Sequence, residues 1–328
     1  MWISYDHEAV RLTGRWGVCD GCAVTTAPGS VLEAGFTGEL ALLHFDTALN
    51  AFPMPHVWIS VDDGAWTEAP LDRFLRVKTG GNGPHKVTVI FKSAMEMQHR
   101  WHHPLVARVA FRGMEAEGCA ALLPDGRRII EFVGDSITEG VLVDEGCRQM
   151  PDTWPEEQYN RPCQDDATAT YAWLTAEALG MRPVIMGYGA VGVTKGGCGG
   201  VVAAPDAYPF CFENTPYTGP EADVVVINHG ANDRGSDAEA YVREYRRLLD
   251  AIQKRNPRAV IVILSAFCGA FPAELRELAE SWRTESGMCV HFIDTAGWIP
   301  LEPLHPGRGG HAAVAEHLIS RMREILGL

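Results

Sequence analysis

The sequence predicts an α/β protein in which a β-sandwich is followed by a three-layer α/β/α domain built on a parallel sheet. Two observations carry this prediction. The first ~120 residues consist of short, partly alternating apolar runs separated by turn residues, which is typical of antiparallel β structure. The remainder alternates buried apolar runs with segments of helical periodicity, which indicates βαβ units and a sheet covered on both faces. The length of 328 residues accommodates both parts.

The N-terminal strands are expected at apolar runs that turn dipeptides interrupt. The runs are Val31–Phe36, Glu39–Phe45, Val57–Val61 and Lys86–Lys92, and the breaks include Pro28-Gly29 and Gly80-Gly81-Asn82-Gly83-Pro84. Val57–Val61 is followed by Asp62-Asp63-Gly64 and Trp66, which predicts a hairpin with Asp-Gly at its turn.

In the second part, strands and helices are expected to alternate. The predicted strands are Ile129–Val133, Val184–Met186, Val224–Ile227, Val260–Leu264 and Val290–Ile293. The predicted helices are Thr168–Leu179, one from the capping box Ser236-Asp237-Ala238-Glu239 to Asn256-Pro257, Ala273–Trp282, and about Gly309 to Leu326. A boundary near Pro124-Asp125-Gly126 divides the chain into domains 1–124 and 125–328. The polar, proline-punctuated stretch 141–166 is long for a loop and is expected to wall or cover the site.

Charge and composition exclude several classes of function. A net charge of −14 and a pI near 5.3 argue against a nucleic-acid partner and against adsorption to an anionic membrane. The chain shows no signal peptide and no apolar run near the ~20 residues of a membrane span, so a cytoplasmic location is expected. The nine scattered cysteines fit reduced thiols. Cys19 and Cys22 form one CxxC, but turn chemistry at Asp20-Gly21 is favoured over zinc.

Polar residues follow three of the predicted strands and a glycine loop follows a fourth, at the sheet edge where parallel α/β sheets bind ligands. Ser136 follows the strand that ends at Val133, and Asn232 follows Val224–Ile227. A glycine-containing loop follows Val184–Met186, and Glu302 and His305 follow the last strand. Taken one by one, these residues also fit a helix N-cap, a turn asparagine, a flexible loop and a surface histidine. Their shared position favours a Ser–His–carboxylate site with Ser136 as nucleophile, His305 as base and Glu302 as orienter.

The same segments resemble the blocks of the SGNH, or GDSL, hydrolase superfamily. Gly134-Asp135-Ser136 is similar to the nucleophile block, Gly192 to the glycine of the second block, and Gly230-Ala231-Asn232-Asp233 to the GxND block. Leu304-His305-Pro306 with Gly310-His311 is similar to the last block. The resemblance implies a flavodoxin-like SGNH domain whose oxyanion hole uses the N–H groups of Ser136 and Gly192 and the Asn232 amide. Asp135 is expected to shape the turn, and His311 to be structural.

One position departs from the family pattern, in which an aspartate lies three residues before the histidine. Glu302 occupies that position here, with Asp294 or a backbone carbonyl as alternative orienters of His305. The N-terminal half resembles the jelly-roll-like β-sandwich of family 2 carbohydrate esterases and related acyltransferases, through Gly14-Arg15-Trp16 and Val109-Ala110-Phe111-Arg112-Gly113. Its tryptophans Trp16, Trp58, Trp66 and Trp101 could stack on sugars, although core packing is the commoner fate of such residues.

The resemblance implies a serine esterase that removes short acyl groups, acetyl foremost, from a saccharide or another small polyhydroxylated substrate, with no metal and no cofactor. Two alternatives stay open at this point: an acyltransferase that uses the same site, and a non-catalytic glycan-binding protein. Intact Ser136, Asn232 and His305 argue against the latter. The sequence identifies neither the acyl group nor the alcohol, and it leaves the oligomeric state open.

Overall fold

The computed structural model describes residues 1–144 and 161–328. The regular secondary structure of the first 120 residues consists of strands, and loops and turns connect them. The strands are β1 (Trp2–Ser4), β2 (Val10–Thr13), β3 (Gly17–Cys19), β4 (Cys22–Thr25), β5 (Val31–Thr37), β6 (Leu40–Phe45), β7 (His56–Val61), β8 (Thr67–Pro70), β9 (Phe74–Lys78), β10 (Pro84–Ser93), β11 (Val109–Glu115) and β12 (Gly118–Cys119).

These strands make two six-stranded sheets in which all neighbours are antiparallel. The first sheet has the order β3-β4-β11-β6-β9, with β1 also paired to β11. The second has the order β12-β5-β10-β7-β8, with β2 also paired to β5. Alternate residues of both sheets enter one apolar cluster, which includes Phe111 of the first sheet and Phe91 of the second. The predicted β-rich half is confirmed, and its assignment as a jelly-roll-like sandwich stays a prediction.

The hairpin predicted around Asp63 is present, but its turn lies one residue earlier than expected. Strands β7 and β8 pair antiparallel. Asp62 and Asp63 have positive φ values of 52° and 57°, and the Gly64 N–H donates to the Val61 oxygen at 2.9 Å. The two central residues of this turn are therefore Asp62 and Asp63, since aspartate tolerates the left-handed region and a type I′ turn matches the strand twist.

The rest of the chain carries the parallel sheet. Its strands are β13 (Ile129–Gly134), β14 (Arg182–Gly187), β17 (Val224–Asn228), β18 (Val260–Leu264) and β19 (Val290–Ile293), and a small hairpin is formed by β15 (Phe210–Phe212) and β16 (Thr215–Pro216). The helices are α1 (Ser136–Glu139), α2 (Arg161–Gln164), α3 (Tyr171–Ala178), α4 (Ala204–Ala207), α5 (Ala238–Arg255), α6 (Pro272–Ser286) and α7 (Arg308–Leu326). The sheet order is β14-β13-β17-β18-β19, all parallel.

Helices cover both faces of this sheet, as the continuous apolar strands predict. Along β17, Val224 and Val226 pack with residues of α3 and α7, whereas Val225 and Ile227 pack with residues of α5 and α6. In this order β13 lies between β14 and β17, and all three strands run in the same direction. Their carboxyl ends therefore lie side by side.

Several helix boundaries differ from prediction, and local contacts or backbone geometry account for three of them. Helix α3 begins at Tyr171 rather than Thr168, because residues 167–169 form a 3₁₀ turn and Thr170 is the N-cap. Helix α5 is capped by Asp237, whose carboxylate accepts the Ala240 N–H at 2.9 Å, and not by Ser236. Helix α6 runs beyond Trp282 to Ser286, where Gly287 ends it in the left-handed region.

A buried ion pair joins the two halves of the chain. Arg15, between β2 and β3, is fully buried and places Nη1 2.8 Å from Glu131 Oε1 in the middle of β13. Its other nitrogen donates to the carbonyls of Tyr208 and Phe210, and the Tyr208 hydroxyl donates to Glu131 at 2.6 Å. Burying two charges costs hydration free energy, and their mutual attraction together with further hydrogen bonds offsets that cost. Most of the hydrogen-bonding groups of this pair have partners here. The boundary at residues 124–125 stays a prediction, but the halves share apolar core as well.

Candidate active site

The nucleophile turn is built where β13 ends. Asp135 adopts extended geometry and caps α1, and its carboxylate accepts the Ile137 N–H at 3.0 Å. Side chains are excluded at two flanking positions: a Cβ on Gly134 would overlap the Thr138 side chain, and one on Gly187 would overlap the Glu139 backbone nitrogen. Glycine at both positions therefore lets the short helix rest directly on the ends of β13 and β14.

Ser136 and His305 meet at the carboxyl edge of the sheet. Ser136 Oγ lies 2.8 Å from His305 Nε2, within hydrogen-bond distance. Ser136 is 6% exposed and His305 is half-buried, on the loop that leads into α7. Ser136 is also the first residue of α1, so its N–H has no intrahelical partner, and it donates to no atom of residues 1–144 or 161–328. That N–H is available to an oxyanion.

Asn232 lies on the loop after β17, next to the second-block loop. Its Nδ2 donates one hydrogen to the Val191 carbonyl at 3.1 Å, which fixes the amide and leaves its second hydrogen for a ligand. Gly192 behaves differently from expectation. Its N–H donates to the Lys195 carbonyl at 3.0 Å and so closes the loop on itself. In this structure, therefore, the Gly192 N–H is engaged within its own turn, and its predicted oxyanion role requires that hydrogen bond to be shared or released.

Asp233 supports the candidate site, although the sequence indicates it only as part of the GxND block. It is fully buried, and its carboxylate accepts the backbone N–H groups of Val193 at 3.1 Å and Thr194 at 2.9 Å, together with the Thr194 hydroxyl at 2.6 Å. A Cβ on Gly192 would collide with this carboxylate. Asp233 thus ties the loop after β17 to the loop after β14, and Gly192 has no side chain because the carboxylate occupies the space.

Burial dominates the electrostatics beneath the nucleophile. Loss of hydration raises the pKa of Asp135 to about 7, against a lowering by its hydrogen bond from Ile137, and nearby Asp233 and Glu139 raise it further. Burial also lowers the pKa of His229 to about 4, although Asp233 opposes that change. Near neutral pH, Asp135 is therefore partly protonated and His229 is uncharged.

The structure does not bring Glu302 to His305. Glu302 is exposed, and no hydrogen bond or ion pair joins its carboxylate to His305 within the described part of the chain. The alternative, Asp294, is also exposed and faces Arg276, whose Nη2 lies 3.1 Å from Asp294 Oδ2. The extra methylene of glutamate therefore does not bring the carboxylate to His305, because the Glu302 side chain lies in solvent. A carboxylate orienter at position 302 stays a prediction.

A second buried ion pair holds the nucleophile helix from the N-terminal half. Arg100, in the segment after β10, is fully buried and makes two hydrogen bonds to Glu139 of α1, one with Nη2 3.2 Å from Oε2. Sequence reasoning missed this pair, because arginine and glutamate are exposed by default and the two residues are 39 positions apart.

Several other predictions from the sequence concern residues outside the catalytic contact between Ser136 and His305. His311 is buried in α7, where its Nδ1 accepts the Tyr171 N–H at 3.2 Å, so its role is structural as expected. Cys19 and Cys22 pair across a two-residue turn at Asp20-Gly21, and the described residues contain no group of three or more His, Cys, Asp or Glu side chains suited to a metal. No helix among the described residues is long and apolar enough to cross a bilayer. Most of the stretch 141–166, expected to wall the site, lies outside the described residues.

The fold and these segments define the class of the protein. The sequence profile of the GDSL-like lipase/acylhydrolase family matches residues 132–313, which is more than half of the chain. The chain belongs to this family, and its class is that of a carboxylic ester hydrolase.

Known proteins share this organisation along most of the chain. An acetylxylan esterase / glucomannan deacetylase of Cellvibrio japonicus (strain Ueda107) is 24% identical over 268 residues, covering 75% of this chain and 68% of that protein. The structure of a family two carbohydrate esterase from Cellvibrio japonicus superposes with a TM-score of 0.78 at 20% identity, over 100% of this chain and 98% of the other. A salicylyl-acyltransferase from a tetracycline biosynthetic pathway gives a TM-score of 0.66 at 16% identity, over 100% and 99%. The resemblance of the whole chain, N-terminal half included, to family 2 carbohydrate esterases and a related acyltransferase is confirmed at the level of fold.

Proposed function

We propose that the protein is a serine esterase that removes acetyl or other short acyl groups from a saccharide through an acyl-enzyme on Ser136. The observation that carries the proposal is the 2.8 Å contact between Ser136 Oγ and His305 Nε2 at the carboxyl edge of the sheet. The chemical class of the substrate is supported by the relative named acetylxylan esterase / glucomannan deacetylase.

Each step of the proposed reaction uses a group already described. His305 Nε2 takes the Ser136 proton as Oγ attacks the ester carbonyl, and the tetrahedral oxyanion receives hydrogen bonds from the Ser136 N–H and the free hydrogen of the Asn232 amide. His305 then gives this proton to the ester oxygen of the sugar as the bond between the acyl carbon and that oxygen breaks, so the sugar leaves with a free hydroxyl. Water attacks the acyl-enzyme carbonyl while His305 takes its proton, and His305 returns that proton to Ser136 Oγ as the bond from Oγ to the acyl carbon breaks and the carboxylic acid leaves.

The rate of nitrophenyl acetate hydrolysis tests the proposal. Replacement of the nucleophile, Ser136→Ala, is expected to lower kcat on the order of 10⁶-fold, to the detection limit, as loss of a serine nucleophile does elsewhere. His305→Ala should act similarly, and the two effects should not add, since both groups serve one step. The exposed Ser281→Ala on α6 is the matched control.

The substrate class is tested by acetate release from acetylated xylan and acetylated glucomannan. We expect the wild type to release acetate from at least one polymer and to hydrolyse nitrophenyl acetate faster than nitrophenyl octanoate. Equal turnover by wild type and Ser136→Ala would show that Ser136 is not the nucleophile. Preference for octanoate would contradict the short-acyl assignment.

A further inference from the structure

A cleft separate from Ser136 lies between the two halves of the chain. A cavity of about 510 Å³ opens between the second N-terminal sheet and helix α3, within the range of about 300–1,000 Å³ that small-molecule sites occupy. Neither Ser136, Asn232 nor His305 lines it. We name it the interdomain cleft and define it by Trp58, Trp66, Lys86, Thr88, Trp173 and Arg308.

One wall of the interdomain cleft is the outer face of a sheet. Lys86, Thr88 and Ile90 alternate along β10 and face the cleft, whereas the intervening Val87 and Val89 belong to the apolar core. Within residues 1–144 and 161–328, the outer face of this sheet is thus not fully covered, and the gap faces α3.

Three tryptophans line the interdomain cleft from both sides. Trp58 lies on β7, Trp66 follows the β7–β8 turn and is 49% exposed, and Trp173 lies on α3 opposite them. The Trp58 indole N–H lies 3.3 Å from Asp166 Oδ1, which anchors its ring in the wall. Trp101, by contrast, is 4% exposed and belongs to the core. Of the N-terminal tryptophans considered from sequence, Trp58 and Trp66 are therefore those that line this cleft.

The charges of the interdomain cleft balance one another. Its described lining carries four acidic and four basic side chains, namely Glu33, Asp63, Asp166, Glu177, Lys86, Arg127, Arg182 and Arg308. Several are mutually paired: Lys86 Nζ lies 2.7 Å from Asp63, and Arg308 Nη2 lies 2.9 Å from Asp166. A site with paired charges gives no net attraction to a phosphate or a polyanion, but its carboxylates and guanidinium groups still offer hydrogen-bond acceptors and donors.

We propose that the interdomain cleft is a second, non-catalytic binding site for an unesterified stretch of neutral polysaccharide. Pyranose rings present C–H faces that pack on aromatic rings and hydroxyl edges that hydrogen-bond to paired polar groups, and the cleft supplies both. Arg308 lines the cleft and begins α7 three residues after His305, so this end of the cleft and the catalytic histidine lie on the same short segment. Tethering a polymer in this way raises the local concentration of its ester groups. The proposal rests on the saccharide esterase function proposed above.

Affinity gel electrophoresis without any ester tests the proposal. Alkali-deacetylated glucomannan and alkali-deacetylated xylan are cast into separate native gels, and the dissociation constant is taken from the retardation. We expect at least one polymer to retard the wild type and Ser136→Ala equally. Trp66→Ala should weaken that binding about tenfold, the loss expected from one aromatic contact, and Trp58→Ala should weaken it at least as much.

Trp2→Ala is the matched control, since Trp2 is 47% exposed on β1 and lies outside the interdomain cleft. Its binding should equal that of the wild type, and thermal unfolding checks that every variant is folded. Wild-type affinity in both Trp58→Ala and Trp66→Ala, or no retardation by either polymer, would overturn the proposal. Hydrolysis of nitrophenyl acetate by the wild type is read separately, so that failure of the cleft and failure of the esterase function are distinguished.

Discussion

At the residue scale, the chemistry depends on which N–H groups near Ser136 remain without an acceptor. The Asn232 amide has one hydrogen committed to Val191 and one left over, whereas the Gly192 N–H is committed to Lys195. The Ser136 N–H has no acceptor among the described residues. We therefore expect the Asn232 amide and the Ser136 N–H to contribute more to oxyanion stabilisation than Gly192 does.

Removal of the Asn232 amide tests this ranking. Asn232→Ala should lower kcat for nitrophenyl acetate by about 10²–10³-fold with little change in KM, because the hydrogen bond forms only as charge develops on the oxygen. Asn232→Asp, nearly identical in shape but unable to donate when ionised, should show a comparable loss. Unchanged kcat in both variants would exclude the amide as an oxyanion donor.

Asp135 gives a prediction about the dependence of stability on pH. Burial raises its pKa from the ordinary 3.8 to about 7, so between these values the folded protein holds a proton that the unfolded chain has lost. The retained proton adds to the free energy of unfolding. This stabilisation is complete at about pH 4 and is lost as the pH rises to about 7. Asparagine does not titrate but still caps the helix, so Asp135→Asn lacks this pH dependence. Because the wild type alone loses stability between about pH 4 and 7, the Tm of Asp135→Asn minus that of the wild type should increase over this range and level off above about pH 7.

The matched control is Asp237→Asn, which replaces another aspartate N-cap, this one exposed at the start of α5. Its Tm difference from the wild type should stay nearly constant with pH. A constant difference for Asp135→Asn as well would show that Asp135 is ionised in the folded protein throughout this range.

At the scale of elements, helix α1 is too short to be stable alone, and its position is set by what it contacts. Four residues cannot offset the cost of helix nucleation. The Asp135 cap, the glycines at 134 and 187, and the ion pair from Arg100 to Glu139 therefore fix the turn that carries Ser136. Part of the active-site geometry thus comes from the N-terminal half.

Replacing only one partner of the Arg100–Glu139 ion pair should lower the free energy of unfolding far more than replacing both partners. Arg100→Met leaves Glu139 buried without its partner and should lower the free energy of unfolding by about 3–5 kcal/mol, with a fall in kcat. The double variant Arg100→Met/Glu139→Met should recover much of that loss. Urea unfolding measures both, and Arg246→Met, which breaks the exposed pair with Glu285, should change stability by less than about 1 kcal/mol. Additive losses in the double variant would contradict this interpretation.

How far the sequence predicts these elements depends on the kind of signal. Apolar runs locate the parallel strands to within two residues, because a strand buried on both faces has few polar positions. The sequence indicates Ser136, Asn232 and His305 because they follow strand ends that converge in any such sheet. Caps are less certain: Ser236 and Asp237 are adjacent and both are good N-cap residues, so composition does not choose between them.

Contacts that depend on distant segments were not predictable. Arg15 and Glu131 are separated by 116 positions, and periodicity assigns such charged residues to the surface. Spacing alone predicts that Glu302 lies beside His305, but in the structure the Glu302 side chain is exposed to solvent. The engagement of the Gly192 N–H by Lys195 depends on loop geometry, for which the residues give no pattern.

At the scale of the whole molecule, the two halves share apolar surface as well as charges. In β11, Val109 and Phe111 face the N-terminal core, whereas Ala110 joins a cluster with Tyr188 and Tyr208 of the second half. Lys92 adds three hydrogen bonds from Nζ to the carbonyls of Pro162, Cys163 and Asp165. The surface between the halves is therefore built like a protein core.

This continuity predicts cooperative unfolding. Differential scanning calorimetry should show one transition with equal calorimetric and van't Hoff enthalpies, because neither half can unfold without exposing the shared core. Arg15→Met should lower the Tm of that single transition without splitting it. Two resolved transitions in the wild type would show that the halves are independently stable.

The pairing of Arg15 with Glu131 also bears on how such a chain can diverge or be re-engineered. Glu131 lies on β13, an interior strand of the hydrolase sheet, yet its counter-charge comes from a residue near the start of the polypeptide. A chimera that takes its first 120 residues from a relative without this arginine would leave the Glu131 carboxylate buried in the sheet without a counter-charge. Recombination at this junction is therefore tolerated only when the donor segment brings the matching cation, so the two halves are expected to be inherited as a unit.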